Sequence, residues 1–157
     1  AYTSIPGLGE MAGWPHHKSL EETKFVLDLF IKEKNNFAIV LKEEDRMIGS
    51  LGFHQAWTAD DRTYEDLHAL EIGYVLAKGY WGRGLVVEAA KLAIQFAFDE
   101  YDLDAITCSH FKGNNQSRRV IEKLGFRFVK KGTYHAKQLG THEEDLRYIL
   151  MREDWKE

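Results

Sequence analysis

From residue 70 to 76 apolar side chains alternate with their neighbours. Leu70, Ile72, Tyr74 and Leu76 fall on one face and Glu71, Gly73 and Val75 on the other, the period of two expected of a strand. After Gly79, Gly82 and Gly84, the residues Leu85, Val86, Ala89, Ala90, Ala93, Phe96 and Ala97 recur at three-to-four spacing, which predicts a buried helix. A strand thus feeds a helix through glycines. Upstream, Ser19 with Glu22 makes a capping box, and Phe25, Val26, Leu29 and Phe30 form one apolar stripe, so an amphipathic helix is predicted from 19 to about 34. Residues 37–41 and 47–57 predict strands joined by the charged KEEDR as a hairpin, with Gly49 and Gly52 marking a kink or bulge and 58–66 a loop. Downstream come a strand over 105–111 and a helix capped by Asn114 and closed by Gly125, with Phe126 folding back on its last turn. RFVKKGTYH and LRYILMRE, across the loop KQLGTHEED, predict a closing antiparallel pair. The opening AYTSIPGLGEMAGWPHHK lacks periodicity and reads as an irregular lead-in that packs through Trp14. This order predicts an α/β (α+β) fold, a mixed sheet with helices on its faces.

The glycine turn carries a chemical implication. A helix start leaves backbone N–H groups outside the ladder and carries roughly half a positive charge, which suits a phosphate. G-x-G-x-x-G from Gly82 fails because Val87 stands where glycine is required, and no G-K-[ST] follows for a P-loop. What remains is G-x-x-G-x-G with Arg83 inside it, a pattern that fits a ligand seat or a purely structural turn.

Composition narrows the classes. The 157 residues predict one domain, 1–157, and 44% hydrophobic with 13% aromatic content supplies a core. A net charge of −4 argues against a nucleic-acid surface and suits a cationic substrate. Cys108 is the single cysteine, so no internal disulfide forms, and its strand setting reads as a small buried hydrophobe rather than a nucleophile. No secretory h-region or bilayer-spanning run is present in the sequence, which predicts a cytoplasmic protein with no membrane partner. The histidines show no metal-ligand spacing, and no metal is expected.

Three separated stretches follow one pattern: GWPHHKSLEET, EIGYVLAKGYWGRGLVVEA, and GNNQSRRVIEKLGF with its N-x-x-S and E-K-L-G-F. Together they resemble the GNAT superfamily of acetyl-CoA-dependent N-acetyltransferases, most closely the branch containing ribosomal-protein N-terminal acetyltransferases. The resemblance implies a mixed, mostly antiparallel sheet whose two central strands part to admit coenzyme A, with the pyrophosphate on the glycine turn. It departs in three places. The family begins with a strand and a helix ahead of GWPHHK, so the chain is expected to be truncated or divergent there. The pyrophosphate loop [QR]-x-x-G-x-[GA] has Gly79 in its first position, and the usual acid tyrosine before E-K is Ile121.

The resemblance implies acetyl-CoA as the cofactor, held by the N–H groups of Gly82, Arg83, Gly84 and Leu85, with Val75 and Leu76 N–H groups meeting the oxyanion, Asn114 reaching the pantetheine arm and Ser117 the coenzyme A sulfur. Glu71, through water, is the expected base, since the amine arrives as an ammonium of pKa near 8 or above 10. Ser117 is the candidate acid, with Tyr134 as its rival, and Tyr134 and His135 are candidate linings of the acceptor pocket. Arg83 is either a phosphate partner or a solvated side chain, and Asn114 serves at least as a helix cap. The expected acceptor is a primary amine, on a protein N-terminus or a small molecule, and the protein a monomer or homodimer. A coenzyme A-binding module without catalysis is the alternative, and a purely structural domain a third class.

Overall fold

The computed structural model describes residues 2–156. Its elements are α1 (Leu20–Glu33), β1 (Asn36–Leu41), β2 (Arg46–Gln55), β3 (Ala69–Leu76), α2 (Leu85–Glu100), β4 (Ala105–Phe111), α3 (Asn115–Lys123), β5 (Arg127–Ala136) and β6 (Thr141–Met151). The six strands form one sheet in the order β1-β2-β3-β4-β6-β5. Every neighbouring pair is antiparallel except β3 and β4, which run parallel. The α2 crossover between them is the reason, because a parallel pair needs a long return connection.

The alternation in β3 decides what each face of the sheet meets. Ile72 is buried with Ala90, Ile94, Ala97 and Phe98 of α2, Ile106 and Cys108 of β4, and Ile121 of α3. Ile94 and Ile121 are wholly excluded from water, each gaining about 1.5–3 kcal/mol by that burial. Leu76 joins a second cluster with Ile39, Leu41, Ile48, Leu51 and Val86. The opposite face, with Glu71 and Gly73, meets the N-terminal segment, whose 3-10 turn Glu10–Ala12 lies against β3 and β4.

Four local expectations are refined. Ser19 does cap α1, accepting from the Glu22 N–H at 3.1 Å, but its apolar stripe stays open, with Phe25 64% and Leu29 39% exposed and no α1 residue buried. Amphipathicity supplies a surface to bury, and a partner element must still cover it. β2 stops at Gln55 instead of running to Trp57, because Trp57 donates its N–H to the Glu71 carboxylate and begins a 3-10 turn. The loop 58–66 contains a second such turn, Arg62–Tyr64, capped by Asp61. In the last hairpin β6 begins at Thr141, paired with Ala136, so THEED belongs to the strand. The bulge flagged by Gly49 lies beside it on β2: Ile39 pairs with Gly49 and Val40 with Met47, which leaves Ile48 as the extra residue. Gly49 itself is required by close approach, since a Cβ there would come 2.3 Å from the Val75 carbonyl oxygen.

The pairing that matters most is short. β3 and β4 are in register only at Ala69–Ala105, Leu70–Ile106 and Glu71–Thr107, after which the strands part. One weak link remains beyond, the Cys108 thiol donating to the Ile72 carbonyl at 3.4 Å.

Candidate active site

The parting strands open a cleft of about 400 Å³, walled by Ile72–Leu76 on one side and Cys108–Phe111 on the other, and running to the glycine turn and α3. Strand geometry sets which backbone groups enter it. The Ala77 N–H donates to Ile48, so by alternation Val75 belongs to the ladder with Ser50, while Tyr74 and Leu76 turn their N–H groups toward the opened side. Of the two amides expected at the oxyanion, Leu76 therefore faces the cleft and Val75 contributes side chain only.

At the far end Gly82 and Gly84 both have φ of +76°, a conformation that other residues adopt at a cost. Gly84 is the N-cap residue of α2, and the first bond of the helix runs from Glu88 N–H to the Gly84 carbonyl at 3.0 Å. The amides of Leu85, Val86 and Val87 precede that bond and lie outside the ladder. A Cβ built on Gly82 or Gly84 would meet nothing within 4 Å, so open space adjoins the turn. These donors and that space fit a diphosphate. Arg83 does not line the cleft, and its guanidinium lies 5.7 Å from the centre of the Tyr80 ring.

Glu71 sits where the pairing ends, and its carboxylate is well held. One oxygen accepts from Trp57 N–H at 3.2 Å and Thr107 Oγ1 at 3.0 Å, the other from Ser109 Oγ at 2.6 Å. The carboxylate has about four lone-pair directions, so one acceptor site remains. Glu71 lines the cleft and is 9% exposed, enough to reach a water but little more.

Across the cleft Asn114 caps α3, its side-chain oxygen accepting from the Ser117 N–H at 3.1 Å. Ser117 lies at the cleft wall with its hydroxyl 2.8 Å from the Tyr74 phenol, which also donates to the Ser117 carbonyl at 3.2 Å. Burial lifts the Tyr74 pKa well above 10, so the phenol keeps its proton. Burial likewise raises the Cys108 thiol, removing it as a nucleophile. Tyr134 lines the cleft mouth, while His135 pairs instead with His142, ring centres 4.3 Å apart.

The sequence reading missed several participants. Thr107, Ser109 and the Trp57 amide reach Glu71 from other strands, and only the odd-numbered face of β4 hinted at the first two. Tyr74 was legible as a strand residue, but its contact spans 43 positions. Among the described residues no group of three or more His, Cys, Asp or Glu could hold a metal, and no helix is long and apolar enough to cross a membrane.

Comparison with known proteins gives the family and the fold. Residues 4–127 match the family model described as acetyltransferase (GNAT) domain. YdaF of Bacillus subtilis, a protein provisionally named as a ribosomal N-acetyltransferase, is 33% identical over 86 residues, 55% of this chain and 47% of that protein. The chain spans about half the length of several curated relatives it matches. Among solved structures, a GNAT-family acetyltransferase from Bacillus anthracis superposes with a TM-score of 0.77 at 24% identity, covering 97% of this chain and 86% of that one. Spermidine N-acetyltransferase from Vibrio cholerae, in complex with CoA and spermine, gives 0.75 at 13% identity over 98% and 87%. With a family model matched over most of its length and a sheet parted beside a glycine-capped helix, this chain belongs to the GNAT acetyltransferase family.

Proposed function

We propose that this protein transfers an acetyl group from acetyl-CoA directly to a primary amine in one complex holding both substrates. The observation that carries this reading is the opening of the sheet just past Glu71, with Ser117 and the glycine turn along the same cleft. Acetyl-CoA supplies an activated thioester. The amides at the start of α2 bind its diphosphate, and the Leu76 N–H holds the carbonyl oxygen as negative charge develops there. Glu71 takes a proton from the arriving ammonium through one water, using the acceptor site its three hydrogen bonds leave free. The neutral amine nitrogen then bonds to the carbonyl carbon as the carbon–sulfur bond breaks, and the nitrogen gives up its second proton to solvent as the amide forms. Ser117 gives its hydroxyl proton to the departing sulfur and regains one from solvent. Tyr74, which burial keeps protonated, has a single proton to share between the Ser117 carbonyl and hydroxyl; in this step it turns that proton to the hydroxyl, so that the serine proton points into the cleft.

The second reading is a coenzyme A-binding module without catalysis, favoured by how fully Glu71 is engaged in holding Trp57 and β4 together. Calorimetric titration with coenzyme A, followed by thiol release from acetyl-CoA with a panel of primary amines, tests both. Binding with thiol release supports transfer, binding without it supports the module, and no binding removes both.

A further inference from the structure

We infer that the acceptor is a primary amine carried on an apolar or aromatic framework, with no second cationic group near the reacting nitrogen; the inference rests on the acetyl-transfer reading above. The face of β3 that presents Glu71 and Gly73 is roofed by the N-terminal segment, whose Leu8, Met11 and Ala12 line the cleft. Opposite them are Phe111 and Tyr134, ring centres 5.4 Å apart, and Gly13 packs so closely that a Cβ there would lie 2.9 Å from the Tyr134 ring. These apolar and aromatic groups share the approach to Glu71 with His54, Ser109 and His110, and no second carboxylate stands among them.

Charge sharpens the point. Glu71 is the one carboxylate lining the cleft among the described residues, while Arg119 and Lys123 line its α3 side. The carboxylates nearby are already engaged. Glu10 accepts from the Gly7 and His16 amides and from His16 Nδ1. Asp61 is paired with Lys130, and Asp145 with Arg147. Those two cations flank the Trp57 ring, at 5.2 and 5.9 Å from its centre. Glu143, opposite Tyr134 on β6, does not line the cleft. A polyamine that placed one nitrogen at Glu71 would carry its remaining ammonium groups along walls that offer no carboxylate counter-ion and, on the α3 side, two cations, which is costly. A single ammonium with an apolar substituent meets no such penalty and buries apolar surface as it binds.

The test is steady-state thiol release at saturating acetyl-CoA with three acceptors: an Ala-Leu dipeptide amide, phenethylamine and spermidine. The first two are expected to exceed spermidine in kcat/KM by at least tenfold, and their order separates a peptide N-terminus from a small amine as the source. Met11→Glu places a carboxylate on the cleft wall and is expected to raise spermidine relative to phenethylamine fivefold or more, with the KM for acetyl-CoA unchanged. Ala12→Glu, at a second exposed wall position, repeats the measurement should Met11→Glu lower the melting temperature. Spermidine outrunning both other amines, or a ratio unmoved in both variants, overturns the inference alone. Coenzyme A binding with no thiol release from any amine overturns acetyl transfer as well.

Discussion

Glu71 has two jobs that one substitution can separate. Its carboxylate ties the Trp57 turn to β4, and the proposed mechanism also asks it to accept a proton. Glu71→Gln keeps a carbonyl oxygen for Trp57 and Thr107 but loses the basic site. A kcat loss on the order of 10²-fold or more, with the acidic limb of the pH–rate profile gone and the melting temperature held within a few degrees, is expected. An unchanged limb would leave Glu71 with its structural task only. Ser117 and Tyr74 form the second pair. A thiol of pKa about 8.5 leaves tolerably unaided, so Ser117→Ala should cost only on the order of tenfold to a hundredfold in kcat. Tyr74→Phe keeps the ring and removes the donor to Ser117, so its loss should be no larger and should vanish in the Ser117→Ala background. Independent, multiplying losses would detach Tyr74 from the serine, and a loss confined to Tyr134→Phe would make Tyr134 the acid.

At the scale of elements, the α2 start joins two effects that are separable at Gly84. Gly84→Ala strains a backbone at φ +76° yet intrudes on nothing, whereas Gly84→Asp adds a negative charge where a diphosphate is expected. Calorimetry should show a modest loss of coenzyme A affinity for the alanine and at least tenfold more for the aspartate. Equal losses would mean that backbone shape alone is responsible. The N-terminal roof is set by Glu10, whose carboxyl is lowered to about 2, first by the hydrogen bond from the His16 ring and then by backbone donors including the His16 and Gly7 amides. A depressed carboxyl pKa contributes stability that is present above the ordinary value of about 4.5 and is lost as pH falls toward 2. The Gly7 and His16 amide resonances should therefore titrate with a midpoint near 2, and that titration should disappear in Glu10→Gln; a midpoint near 4.5 would contradict the held geometry.

Across the whole molecule, α2 and α3 cover one face of the sheet through Ile94 and Ile121, Glu71 lies on the other, and the cleft between β3 and β4 joins the two. Ile94→Ala leaves a cavity between α2 and the sheet and should destabilise the protein by about 2–5 kcal/mol. Thermal unfolding should show that loss, while coenzyme A affinity below the transition is retained because the α2 start is untouched. The order of elements was legible because alternation in β3 and β4 and the three-to-four spacing in α2 are local demands of burial. Caps were legible for the same reason: Ser19 and Asn114 each satisfy an N–H three residues away. The glycine turn was legible because positive φ is a local property. The fate of the α1 stripe was not legible, since exposure depends on which element arrives to cover it. Nor was the company of Glu71 and Ser117, because Thr107, Ser109 and Tyr74 reach them across 36 to 43 residues of chain. Sequence by itself determined the strands, helices, caps and the phosphate-suited turn, all of which follow from interactions within a few residues. Only the tertiary structure decided where β3 and β4 part, which amide faces the gap, and what walls the acceptor side, because each depends on elements distant in sequence meeting in space.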